Sequence, residues 1–145
     1  MQTFVYPARL IPEKTDGGFN VRFDDFPEAF SCGGDRAEAL ALAPDCLEEA
    51  IAGRIVDGLE IPVPSPIRRG RAGITLPAPM AAKAALYVAI RESGLSNSEL
   101  GRRMKLGERE IRRLLDPRHP TKLTRIKTIL EFLGKRLVVT LENAA

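Results

Sequence analysis

The apolar side chains of this chain change their period across residues 59–79, a stretch holding five prolines. Before it they alternate with polar ones in short runs; after it they recur every three or four residues. A period of about 2 builds strands and one of about 3.6 builds helices. The reading is therefore an α+β protein with its boundary in the proline stretch. Residues 1–66 form an antiparallel sheet with a helix. Residues 67–79 form a linker. Residues 80–145 form an all-α domain closed by a strand.

In the front part, residues 3–13 (TFVYPARLIPE) are rich in β-branched and aromatic side chains, with Pro7 and Pro12 suited to an edge or an end. Asp16-Gly17-Gly18 supplies a turn. In FNVRF, Phe19, Val21 and Phe23 face one side and Asn20 and Arg22 the other, and residues 29–34 read as a third strand. Asp35 then caps a helix, with Glu38 completing a capping box. Its apolar face runs through Ala37, Leu40, Pro44, Leu47, Ile51 and Ile55, and it ends near Asp57-Gly58. Pro44 lacks a helical N–H, so a kink or a break is expected there. IPVP and GITLP each have the composition to add a short strand.

Helices are expected over residues 80–94, 95–104, 105–116 and 124–134, and a strand over 135–142. The strand follows only helices, so it either returns to the first sheet or pairs with the same strand of a second chain; the second is favoured because it satisfies both edges. Leu137, Val138, Val139 and Leu141 are the expected dimer seam.

Ser96 to Glu99 again has capping-box form. Leu95, Leu100 and Met104 face inward, and Lys105-Leu106-Gly107 is a turn in which Gly107 is free to take an unusual angle. Ile111, Leu114 and Leu115 fix the inward direction of the next helix at about 100° per residue. Arg109 and Arg113 then point outward with Arg112 beside them, as on a recognition helix in a major groove. Arginine is the side chain that best grips guanine O6 and N7 together. Ser96, Arg102, Arg103, Lys105, Lys122, Thr124, Arg125 and Lys127 are the expected phosphate contacts. Glu108 suits the helix N-terminus.

Charge is unevenly divided. Residues 1–66 hold five Lys/Arg and twelve Asp/Glu, a balance of −7; residues 67–145 hold seventeen and seven, a balance of +10, and together these give the overall +3. This asymmetry implies a cationic partner for the front and an anionic one for the back. No apolar run has the roughly 20 residues of a membrane span. The first residues, MQTFVYPARL, do not read as a signal peptide. Cys32 and Cys46 form no CxxC and read as reduced, buried thiols of a cytoplasmic protein.

Asp24, Asp25 and Glu28 pose the question of an enzyme. Neighbours on a strand point to opposite faces, and two-metal nuclease chemistry needs carboxylates converging from separate elements. Here the first strand offers none, and Asp35 and Glu38 serve a helix start. The three are read as turn-forming residues that also face the cationic partner. His119 has no nucleophile or base beside it in sequence. No catalytic residue, metal or cofactor is assigned. A metal-dependent nuclease and a repressor whose front domain binds some other ligand are the competing readings.

Both halves resemble the HicB-type antitoxins of type II toxin–antitoxin pairs. The front match lies in YPARLIPEKTDGGFNVRFDDFPEAFSCGGDRAEAL, where strand, glycine turn, strand, D-x-P and C-G-D leading into a helix come in order. The back, notably RRLLDPRHPTKL and LGKRL, is similar to a Cro/C1-type helix-turn-helix. The resemblance implies a partial ribonuclease-H-like front domain without that enzyme's catalysis. It implies a HicA-type partner, a small basic ribonuclease that the antitoxin blocks, and repression of the shared operon by binding its operator DNA. It also implies homodimers joined through the C-terminal domain, with further assembly in some cases.

Overall fold

The computed structural model describes residues 1–144. In chain order they form β1 (Val5–Pro12), β2 (Phe19–Phe23), β3 (Phe26–Gly33), α1 (Arg36–Val56), β4 (Ala72–Thr75), α2 (Ala78–Ser93), α3 (Asn97–Met104), α4 (Glu108–Leu115) and α5 (Leu123–Phe132). The strands make one antiparallel sheet in the order β3-β2-β1-β4. This is the expected mixed α+β architecture.

Gly17 takes φ 73° in the turn between β1 and β2, a conformation that costs glycine little. Beyond it, Ala8 pairs with Phe23 and Pro12 with Phe19. The inner sheet face carries Tyr6, Ala8, Val21, Phe23, Phe26 and Ile74, which bury against α1. The third strand begins at Phe26, earlier than residue 29, because Asp24-Asp25 alone make the turn between the paired Phe23 and Phe26. The register then slips, since Arg22 pairs with Phe30. The extra residues, Pro27 among them, bulge out of the ladder where proline's missing donor does no harm.

Asp35 caps α1 by accepting from the Glu38 N–H at 2.8 Å. The Glu38 carboxylate reaches back to the Gly34 N–H at 3.3 Å. The helix does not break at Pro44. It is held on both sides of that residue by buried Ala39, Ala43, Leu47 and Ile51. Its front stripe differs from the expected one: Ala39 and Ala43 are buried, whereas Ala37 is exposed and Leu40 half-buried. Small side chains are needed there because the helix start lies hard against β3. A Cβ on Gly33 would sit 2.4 Å from the Ala39 nitrogen.

The proline stretch is two structures. Residues 59–68 form no strand, so the IPVP expectation fails. Its prolines cannot donate, and the segment is instead pinned through its carbonyls. Tyr87 Oη donates to Leu59 O at 2.7 Å, Arg54 Nη1 to Glu60 O at 3.0 Å and Tyr6 Oη to Pro62 O at 2.7 Å. Residues 72–75 within the expected 67–79 linker are β4, antiparallel to β1. The Leu76 N–H extends this contact to Phe4 O at 2.9 Å. The sheet thus continues past residue 66.

Two apolar cores result, and α2 serves both. Met80, Ala84 and Tyr87 pack in the sheet core. Leu86, Ala89 and Ile90 pack with Leu100, Ile111, Leu114, Ile126, Ile129 and Leu130. Residues 135–144 carry neither helix nor strand in the single chain, so this segment does not return to the chain's own sheet. A strand needs a hydrogen-bonded neighbour, and none of the chain's own strands pairs with this segment. Leu137 packs on the second core, while Val138, Val139 and Leu141 are exposed. Ala145 lies outside the described residues.

Candidate functional site

The helices α3 and α4 are joined by a three-residue turn. Ser96 caps α3 by accepting from the Glu99 N–H at 3.1 Å, so this hydroxyl already has a partner. The left-handed turn residue is Lys105, at φ 57° and ψ 44°, and not Gly107, which has φ −73° as the α4 cap. The small residue the turn requires is Gly101. A Cβ there would lie 2.9 Å from Leu106 O. Leu100, Ile111 and Leu114 are buried as expected, with Leu95, Met104 and Leu115 half-buried.

Arg109, Arg112 and Arg113 are all exposed on α4. Among the described residues they make no ion pair, and nor do Lys105 and Lys122. Other cations of this region are partnered. Glu99 takes Arg102 and Arg103, Glu110 takes Arg125, and Glu131 takes Lys127. Asn97, Gly101, Arg102, Leu106, Ile111 and Arg112 line the groove between α3 and α4. Thr124 is exposed in the first turn of α5, which starts one residue earlier than expected.

The hairpin carboxylates are tied to the chain itself. Asp24 pairs with Arg71 at 2.7 Å and stands 3.7 Å from Arg9. Asp25 accepts from the Ser65 N–H at 2.9 Å and from the Ser65 hydroxyl. Glu28 receives two donors from Arg54, which hold its carboxyl below the ordinary range. Each thus belongs to a separate tie, and no three His, Cys, Asp or Glu side chains among the described residues come together. Cys32 is exposed on β3, contrary to the expected buried thiol, because it lies on the outer side of the sheet beside Asn20. Cys46 is half-buried in α1, and burial pushes its thiol up. His119 is half-buried, and its backbone N–H donates to Asp116 O at 3.2 Å.

A family model described as "HicB_like antitoxin of bacterial toxin-antitoxin system" matches residues 5–85. That span runs from β1 into α2, over half of the chain. The chain belongs to the HicB-like antitoxin family. It is 39% identical over 132 residues to Antitoxin HicB 2 of Photorhabdus laumondii, covering 91% of this chain and 92% of the relative. It is 34% identical over 137 residues to Antitoxin HicB 1 of the same organism, covering 94% and 86%. Antitoxin HicB of Escherichia coli is 36% identical over 132 residues, covering 91% and 95%.

In this HicB-like chain the sequence reading missed Lys83. It is the one buried charged side chain among the described residues. Its Nζ donates to Arg113 O and Leu114 O, both at 3.1 Å, and to Thr121 Oγ1 at 2.6 Å. Burial lowers its pKa, and the charge of Asp116 opposes that shift. The available signal was a single lysine inside the apolar run MAAKAAL. Arg118 was missed as well; it grips Glu49 of α1 with two nitrogens, at 2.7 and 3.2 Å.

Proposed function

We propose that this HicB-like chain neutralises a small cationic HicA-type toxin that cleaves mRNA, and represses its own operon by binding operator DNA. The observation that carries the DNA half is the row of exposed Arg109, Arg112 and Arg113, without an ion pair among the described residues, on the helix after the three-residue turn. These read base edges, while Arg102, Arg103, Lys105, Lys122, Thr124 and Arg125 meet phosphates. Ion pairs exposed to water are weak, so Arg102, Arg103 and Arg125 can exchange carboxylate for phosphate at small cost.

The front half supports the antitoxin role by its charge. A protein that holds RNA is cationic, and a balance of −7 over residues 1–66 complements it. Asp24, Asp25 and Glu28 contact the toxin at the β2–β3 hairpin in competition with Arg71, Ser65 and Arg54. In this reading the front domain has the partial ribonuclease-H-like fold without its chemistry, and the back is a Cro/C1-type helix-turn-helix. Val138, Val139 and Leu141 pair with a second copy to form a homodimer, able to assemble further. The protein works in the cytoplasm, where both the operon and mRNA lie.

The test is co-purification of the full chain with the product of a neighbouring small basic reading frame, followed by a ribonuclease assay. A tight complex that silences the neighbour's activity supports the reading. A chain that binds operator DNA but no such product is instead a stand-alone repressor with another ligand at its front.

A further inference from the structure

The helix α4 has eight residues, about two turns, and so little stability of its own. Its direction is set by what holds it. On its inner side Ile111 and Leu114 bury in the second core. At its C-terminal end the last carbonyls carry the negative end of its dipole, and Arg113 O accepts from the Asp116 N–H at 3.3 Å. Lys83 meets that end. An ammonium group has three protons, and here three acceptors surround it: Arg113 O, Leu114 O and Thr121 Oγ1. The Arg113 carbonyl thus accepts from Lys83 as well as from the Asp116 N–H, while the Arg113 side chain is exposed.

The origin of this contact matters. Lys83 lies in α2 between Met80 and Ala84, which pack in the sheet core. It thus reaches from the helix shared by both cores to the end of the exposed-arginine helix. Two-point recognition of a base by a guanidinium is sensitive to the direction from which it comes. Charge contacts to phosphate are more tolerant.

We propose that Lys83 is the positioning residue of the DNA-reading helix: it fixes α4 to the sheet body so that Arg109, Arg112 and Arg113 meet base edges at a set angle. This rests on the DNA-binding reading given above. Lys83 itself touches no DNA. Its loss removes sequence discrimination and leaves non-specific affinity.

The experiment measures affinity of the full-length chain for its own operator and for a scrambled duplex of equal length, at one salt concentration, with the folded fraction followed by circular dichroism. Lys83→Met keeps the apolar stem and removes the three donors. The operator-over-scrambled ratio is expected to fall roughly tenfold, with scrambled-duplex affinity unchanged. Lys83→Gln, which keeps an amide donor, is expected to retain part of the ratio. An unchanged ratio in Lys83→Met overturns the proposal. So does a parallel drop of both affinities in step with the folded fraction, since Lys83 would then only stabilise. Should Lys83→Met fail to fold, Lys83→Gln is read on the same terms. A wild-type chain with no operator preference would defeat the DNA-binding reading itself, a result distinct from either of these.

Discussion

Arg54 and Glu28, 26 residues apart, form a two-pronged ion pair in which Nε and Nη2 each lie 2.8 Å from a carboxylate oxygen. The same guanidinium stands 4.7 Å from the centre of the Phe26 ring and donates to Glu60 O. One side chain thereby joins α1, β3 and the proline segment. Arg54 holds the Glu28 carboxyl below its ordinary 4.5. A carboxylate with a lowered folded pKa contributes stability that is complete above its unfolded value and is lost as pH falls through the folded one. Glu28→Gln should therefore cost about 1 kcal/mol or less at neutral pH, given the exposure of the pair. It should cost progressively less below pH 4.5. Urea midpoints of both proteins across that range check the convergence.

Two glycines give opposite results on substitution by alanine. Gly53 lies inside α1 with nothing within 4 Å of a new Cβ. Gly53→Ala should stabilise by about 1 kcal/mol, the difference in helix preference. At Gly33 the new Cβ would meet the Ala39 nitrogen at 2.4 Å, and backbone must move. Gly33→Ala should destabilise by about 1–3 kcal/mol. Thermal or urea unfolding reads both signs.

Lys105 is the only non-glycine residue with positive φ among the described residues. A left-handed side-chain-bearing residue costs roughly 1–2 kcal/mol, partly offset by the greater freedom glycine has when unfolded. Lys105→Gly should raise stability by up to about 1 kcal/mol while weakening operator binding. The salt dependence should lose roughly 0.9 in slope, the share of one phosphate contact. Titrations at several salt concentrations, beside unfolding curves, separate the two effects.

Much of this architecture was legible in the sequence because local signals were strong. Asp16-Gly17-Gly18, the alternation in FNVRF and the caps at Asp35 and Ser96 each act within a few residues, and each appears where expected. The front of the α1 stripe differs because steps of three and four point to Ala37 and Leu40, whereas close approach to Gly33 selects Ala39 and Ala43. Residue type offers Gly107 for the unusual backbone angle, but Lys105 takes it, since the contact at Gly101 that shapes the turn is not announced by residue type. Lys83, Arg118 and the Asp25–Ser65 tie are long-range, with partners 30 to 69 residues away, and no period in the sequence announces them.

The C-terminal segment offers a test of assembly. Leu137 already packs on the chain's own core, so in the proposed homodimer the seam is assigned to Val138, Val139 and Leu141. Removing residues 138–145 should leave the fold intact and convert the protein to monomers by sedimentation, with weaker operator binding. A dimer that survives this truncation would place the seam elsewhere.

In the function proposed here one chain carries two separable binding activities, with base reading confined to α4. The most direct measurement pairs an operator gel shift with a toxin ribonuclease assay on the full-length double substitution Arg109→Ala, Arg113→Ala. Both residues are exposed, so the fold should be kept. Specific operator binding should disappear while inhibition of the toxin stays at the wild-type level. Operator binding that persists, or inhibition that is lost with it, would contradict the account.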